Sequence, residues 1–170
     1  AGGDRLERGR HADDVAAHAA ILAYHWGVAG DTAKEAQYSA LAGQHALQTS
    51  AFRDALRYFK RALALLPSDQ GGEAEKSRAT LNYGLGEAYV GLGELKEAVD
   101  CLKNATRVSA KDSRGWTALG VAYARMGKDA DARQVLEEAV RLDAQDPDAL
   151  RNLGGLLLRQ RGEEKRAREL

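Results

Sequence analysis

Apolar residues recur at every third or fourth position along most of this chain, with polar residues between them. Near the N-terminus, for example, Ala19, Leu22 and Trp26 follow this spacing. Side chains three or four residues apart lie on the same face of an α-helix, so the pattern predicts amphipathic helices. The predicted helices comprise residues 12–28, 33–48, 52–66, 73–91, 95–108, 113–126, 130–142, 147–160 and 163–170.

The same residue types return at a fixed interval of 34 positions, as at Gly86, Gly120 and Gly154. Upstream, Gly43 and Gly86 are 43 positions apart, and the polar stretch 68–77 lies where an insertion would account for the difference. Self-similarity at such a period indicates tandem copies of one supersecondary unit. The other positions in phase are Leu85 and Leu119, Tyr89 and Tyr123, Ala98 and Ala132, and Leu102 and Leu136.

Each repeat is expected to consist of two antiparallel helices. Small residues such as Gly120 and Ala132 let the helices approach closely, and large residues such as Leu136 fill the remaining space. One helix pair cannot bury its apolar face alone, so neighbouring pairs must stack. Gly93 and Gly127 fall where the first helix of a pair must end and reverse, which is a usual place for a glycine with left-handed backbone.

The third repeat also follows a longer pattern, W-x2-L-G-x2-Y continued by Ala, Leu and a second Ala. Its residues are Trp116, Leu119, Gly120, Tyr123, Ala132, Leu136 and Ala139. From about residue 33 to residue 170 the chain resembles the tetratricopeptide repeat family. The resemblance implies an all-α fold, a right-handed superhelical solenoid of antiparallel helix pairs, and a protein-binding role rather than an enzymatic one.

This pattern divides the chain into an N-terminal segment with a capping helix, residues 1–32, and a repeat array, residues 33–170. The chain lacks an initial Met and stops within a charged helical pattern, so we expect it to be a fragment of a longer protein. Within the array, the expected repeats are approximately 36–69, 79–112, 113–146 and a truncated 147–170, with the insertion at 70–78.

A second resemblance covers residues 18–67. This stretch is similar to the helical repeat regions of large bacterial signalling proteins, in which such repeats follow a signalling ATPase, a cyclase or a Ser/Thr kinase domain. The resemblance implies a bacterial regulatory protein of the cytoplasm. The pieces that carry it are His18–Ala19, Leu22–Ala23, His25–Trp26, Ala29–Gly30–Asp31 and Ala42–Gly43.

Composition and charge exclude several other functions. Lys and Arg total 25, as do Asp and Glu, so the chain lacks the basic excess typical of nucleic-acid binding. It has no apolar run of about 18 residues, which argues against membrane insertion. Cys101 is the only cysteine and cannot form an internal disulfide, which favours a reducing, cytoplasmic location.

Candidate chemistry is sparse. His11, His18 and His25 are seven residues apart, about 10 Å along a helix, which is too far for one metal ion. The glycines form no phosphate-binding motif, and no acid, base and nucleophile set is evident. The sequence therefore predicts no catalytic residue, no metal site and no cofactor.

The resemblance places partner binding on the concave face, which the first helix of each repeat lines. We expect a peptide or helix to bind there, and the arginines would suit an acidic segment. The alternative is self-association through the apolar end faces of the array. The expected concave-face residues are Gln44, Gln48, Tyr83, Glu87, Arg114, Thr117, Arg125, Arg151 and Arg159.

Chaperone-binding members of the family grip a C-terminal carboxylate with Lys and Asn on this face. The corresponding places here are near Ala40, Gln44, Gly84, Arg114 and Ala118, so that Lys/Asn set is missing. We therefore expect the chain not to bind chaperone tails in this way.

Overall fold

The computed structural model describes residues 18–67 and 72–168, with side chains described as far as residue 162. The described residues form helices joined by short turns and contain no strand, which confirms the predicted all-α class. His11 and the predicted start of the first helix lie outside the described residues. The helices are α1 (18–28), α2 (Thr32–Gln48), α3 (Phe52–Leu65), α4 (Gly72–Leu92), α5 (Leu95–Val108), α6 (Ser113–Arg125), α7 (Asp129–Leu142) and α8 (Pro147–Arg168).

Consecutive helices pack as pairs, α2 with α3, α4 with α5, and α6 with α7. Each pair also packs on the next, and α8 packs on both α6 and α7. Two apolar clusters fill the interior. One surrounds Phe59 and Leu85, and the other surrounds Leu102, Leu119 and Leu136. The result is a helical solenoid in which α2, α4, α6 and α8 are the first helices of successive units.

Within each of the three helix pairs, close approach depends on a glycine opposite a large side chain 16 residues later. A methyl group added to Gly86 would lie 2.4 Å from Leu102 Cγ, and one added to Gly120 would lie 2.5 Å from Leu136 Cγ. In the first pair, the same construction at Gly43 places the methyl group 2.7 Å from the Phe59 ring. The predicted packing of small against large residues is confirmed at these positions.

The turn inside each helix pair uses one residue with left-handed backbone. Gly93 and Gly127 have φ values of 79° and 73°, which confirms the prediction made for them. In the first pair the equivalent residue is Ser50, with φ 58°. Such a conformation strains a residue that has a Cβ atom, so the first turn is less favourable than the other two.

The sequence prediction was wrong about the last helix. A break between residues 160 and 163 was expected, but α8 is continuous from Pro147 to Arg168. Gly162 lies inside this helix, and nothing among the described residues lies within 4 Å of the place where its Cβ would be. One glycine costs a helix only about 1 kcal/mol, and the neighbouring Gln, Arg and Glu residues are good helix formers.

No helix among the described residues is both long enough and apolar enough to cross a membrane.

Candidate protein-binding groove

Two adjoining cavities lie along the face formed by the first helices of the units. The larger has a volume of about 350 Å³ and lies between α4, α6 and α8. The smaller, about 150 Å³, extends towards α2. Both are lined by Tyr83, Glu87 and Arg114, so these three residues form the centre of one groove. The larger cavity is also lined by Val90, Thr117, Ala118, Val121, Asp146, Asp148, Arg151 and Asn152.

Tyr83 and Glu87 lie one turn apart on α4, and the Tyr83 hydroxyl interacts with the Glu87 carboxylate. Both side chains are half-buried. Burial raises the pKa of Tyr83 well above its ordinary value, and the negative charge of Glu87 is the second cause of the increase. Burial also raises the pKa of Glu87, because a charged carboxylate loses hydration in the groove.

Arg114 is held at the groove by a carboxylate of its own. Its Nη2 lies 2.8 Å from Asp112 Oδ2, and its Nε donates to Asp112 Oδ1 over 3.0 Å. The guanidinium carbon lies 5.9 Å from the centre of the Tyr83 ring, which is within cation–π range. Asp112 also caps α6 by accepting from the Arg114 backbone N–H. The hydrogen bond from the Arg114 side chain lowers the pKa of Asp112.

Asp146 anchors the start of α8 to α6. Its carboxylate accepts from the backbone N–H groups of Asp148 and Ala149, which makes it the N-cap of α8. It also accepts from the hydroxyls of Ser113 and Thr117, at 3.2 and 3.4 Å. Desolvation acts to raise the pKa of Asp146, but these four donors outweigh it, so the pKa is lowered.

Most of the predicted site residues meet in the groove, but three do not line it. Arg125 donates to the Val90 carbonyl, and Arg159 pairs with Asp129 at the start of α7. Gln48 is exposed beyond the smaller cavity. Thr117 is buried in the wall, and its hydroxyl also donates to the Ser113 carbonyl. The predicted residues that line the two cavities are Gln44, Tyr83, Glu87, Arg114, Thr117 and Arg151.

The arginines do not give the groove a positive excess. Arg114 is paired with Asp112, and Arg151 is paired with Asp148. The larger cavity is lined by three carboxylates and two guanidinium groups. The sequence prediction counted arginines along the face and did not include the carboxylates placed beside them.

Sequence reasoning missed Asp112 and Asp146 as groove residues. A signal for both was present, because an Asp just before a helix is a typical N-cap and Pro147 is typical of the first helical position. The contact from Asp146 back to Ser113 spans 33 residues and needs the stacked helices. Asn152 carries no comparable signal.

The described residues contain no group of three or more His, Cys, Asp and Glu side chains that could hold a metal ion.

The profile of the tetratricopeptide repeat family matches residues 83–147 and 117–170, which together span just over half of the chain. The protein belongs to the tetratricopeptide repeat family. No curated protein sequence matches it significantly.

Solved structures of tetratricopeptide repeat domains share the fold at low sequence identity. The C-terminal domain of an FK506-binding protein from Plasmodium falciparum has a TM-score of 0.69 and 16% identity, over 79% of this chain and 93% of that one. The Sgt2 domain from Aspergillus fumigatus has a TM-score of 0.65 and 21% identity, over 78% and 82%. The second domain of human RPAP3, in complex with an HSP70 peptide, has a TM-score of 0.59 and 19% identity, over 69% and 91%.

Proposed function

We propose that this protein is a non-catalytic binding module that receives a peptide or a helix of a partner protein in the groove centred on Tyr83, Glu87 and Arg114. The observation that carries the proposal is the groove itself. It joins two cavities, and α2, α4, α6 and α8 all contribute residues to it. Tyr and Arg are frequent anchors of protein interfaces.

The groove combines an apolar wall with fixed polar groups, as binding sites usually do. Val90, Ala118 and Val121 supply apolar surface in the larger cavity. Arg114 is held by Asp112 before any partner arrives. A preorganised site loses less side-chain entropy on binding, which favours affinity.

The groove differs from a site for a chaperone C-terminus. The RPAP3 domain holds an HSP70 peptide, but this chain lacks the Lys/Asn set expected for a chaperone carboxylate. We also do not propose an acidic partner, because the groove arginines already have carboxylate partners.

We further propose that the module serves a bacterial regulatory or signalling protein of the cytoplasm. The resemblance of residues 18–67 and the single Cys101 support this context. We also propose that the module is organised as four repeats, with an insertion at residues 70–78 between the first repeat and the second.

The groove is tested by affinity capture from a bacterial lysate with three baits. Arg114→Glu changes the centre of the groove and breaks the pair with Asp112. Arg133→Glu is the matched control, because it breaks an exposed pair with Glu137 on α7 outside both cavities. Circular dichroism establishes that all baits are folded.

We expect a partner that is captured by the wild type and by Arg133→Glu but not by Arg114→Glu. Hydrogen exchange of its complex should show protection in α4 and α6. Equal capture by all three baits, or protection confined to other helices, would refute groove binding.

Self-association through an end face is the second candidate. The observation that favours it is the exposure of three leucines on α8, Leu150, Leu157 and Leu158. Leu158 is 72% exposed, so replacing it should not disturb the core. If this candidate is correct, sedimentation velocity should show oligomers that dissociate in Leu158→Glu. A wild type that sediments as a monomer at high concentration would exclude it for this chain.

A further inference from the structure

The charges of the groove point to the kind of side chain that it receives. We propose that the partner segment presents a lysine or arginine side chain whose cationic group pairs with the Glu87 carboxylate. This inference rests on the proposed function, since it specifies what the groove selects.

The charged groups of the larger cavity differ in how fully they are partnered. Arg151 is paired with Asp148, and Arg114 with Asp112. Asp146 already accepts from two backbone N–H groups and two hydroxyls. Within the described residues, Glu87 is the carboxylate of this cavity that has neither a salt-bridge partner nor such a set of hydrogen-bond donors.

The Glu87 carboxylate has hydrogen-bonding capacity that the described residues do not use up. An ionised carboxylate accepts through two oxygens and about four lone-pair directions. Among the described residues, the interaction that most favours the ionised Glu87 carboxylate is the one with the Tyr83 hydroxyl, followed by the charge of Arg114. A guanidinium or ammonium group entering the cavity therefore finds acceptor positions that are not already taken.

Half-burial disfavours the ionised form of the Glu87 carboxylate. Burial removes part of its hydration, and its raised pKa reflects that loss. Arg114 offsets the loss only partly, because its guanidinium is bound to Asp112 through two hydrogen bonds. A cation from the partner would supply the missing compensation inside the groove, where charge-assisted hydrogen bonds are strong.

The apolar wall of the larger cavity suits the stem of a lysine or arginine side chain. Lysine and arginine carry long aliphatic stems that pack on apolar surface while the charged group stays polar. Val90, Ala118 and Val121 provide such surface in the same cavity as Glu87. The cavity of about 350 Å³ can hold a stem along this wall with the cationic group at the carboxylate.

The experiment selects a phage-displayed library of random dodecapeptides on the wild type, on Glu87→Gln and on Glu97→Gln. Glutamine at position 87 keeps the shape and can still hydrogen-bond to Tyr83. Glu97 is an exposed carboxylate of α5 outside both cavities, so its variant is the matched control for the loss of one negative charge. Thermal unfolding establishes that the variants are folded.

We expect the wild type and Glu97→Gln to enrich Lys or Arg above the unselected library, and Glu87→Gln to lose this enrichment. Synthetic peptides from the wild-type pool should bind Glu87→Gln about tenfold more weakly, and Glu97→Gln equally well. A wild-type pool without Lys or Arg enrichment, or unchanged affinity for Glu87→Gln, would overturn the inference.

Backbone chemical shifts separate this inference from the proposed function. Peptides that perturb Val121 and Asn152 occupy the groove, whatever their composition. If they do so without depending on Glu87, the groove function stands and the cationic preference fails. If the selected peptides perturb only other surfaces, or if no peptide is selected, the groove function fails and the inference fails with it.

Discussion

The hydroxyl of Ser113, the first residue of α6, donates a hydrogen bond to the carboxylate of Asp146, the N-cap of α8, across 3.2 Å. This bond joins two helices that both line the groove. The same carboxylate holds the first N–H groups of α8, so one side chain both starts that helix and fixes it to α6.

Replacing Asp146 with Ala should therefore lower the free energy of unfolding by about 1–2 kcal/mol, the usual cost of losing an N-cap. Ser113→Ala removes only one of the two hydroxyl bonds from α6 to Asp146 and should cost less. Urea denaturation measures both values. An Asp146→Ala protein as stable as the wild type would show that the cap contributes nothing.

The charge of Asp146 also predicts a pH dependence. Its pKa is lowered in the folded state, so the stabilisation is present above the ordinary aspartate pKa of about 3.9 and is lost as the pH falls through the lower folded pKa. Asp146→Asn keeps the cap but removes the charge. The stability difference between wild type and Asp146→Asn should therefore shrink towards zero in acid. A difference that is constant with pH would contradict this account.

Gly120→Ala should destabilise the protein by about 1–3 kcal/mol, because the new methyl group would lie 2.5 Å from Leu136 Cγ and force the core to shift. Gly154→Ala is the matched control in α8, where nothing described lies within 4 Å of the added atom. It should stabilise by about 0.5–1 kcal/mol through helix propensity. Thermal melts compare the two, and equal shifts would contradict the packing assignment.

Ser50→Gly should stabilise the first helix pair. The left-handed backbone at position 50 costs a residue with a Cβ atom about 1–2 kcal/mol. Glycine avoids this cost but loses more conformational entropy on folding, so the expected net stabilisation is about 0.5–1 kcal/mol. Gly127→Ser, at the equivalent turn of the third pair, should produce the opposite change. Denaturant midpoints test the exchange, and two shifts of the same sign would refute it.

Arg61→Ala should destabilise by about 1–3 kcal/mol, because it leaves a buried carboxylate without its charged donor. Arg61 Nε lies 2.6 Å from Glu35 Oε1, and Glu35 is only 8% exposed. Arg57→Ala on the same helix is the control. Arg57 pairs with Asp54 where both side chains are mostly exposed, so its loss should cost about 0–1 kcal/mol. Chemical denaturation of the two variants should rank them in that order.

The helix pairs could be predicted from sequence because their contacts are local and repeated. Gly120 packs against Leu136, and Gly86 packs against Leu102. The same contact therefore occurs at equivalent positions of successive repeats. Repetition at a fixed interval is therefore enough to predict these packing contacts from the sequence.

The charges of the groove could not be predicted in the same way. Long arginine side chains reach whichever carboxylate the folded chain brings near, and Arg159 reaches Asp129, 30 residues earlier. The left-handed backbone of Ser50 is likewise set by the helices that it joins, since serine has no preference for it. The ion pairs of long side chains and the backbone strain at a turn both depend on residues that come close only in the folded chain.

The 16-residue spacing between each packing glycine and its partner favours the lengthening of the array by gene duplication. The tight contact of a helix pair is complete within one repeat, so a tandem duplication of a 34-residue stretch would copy it whole. A new unit would bring its own glycine contact, and its remaining apolar face would be buried against a compatible neighbour. Lengthening the array by unequal recombination therefore preserves the core, while the exposed residues of each copy are free to diverge.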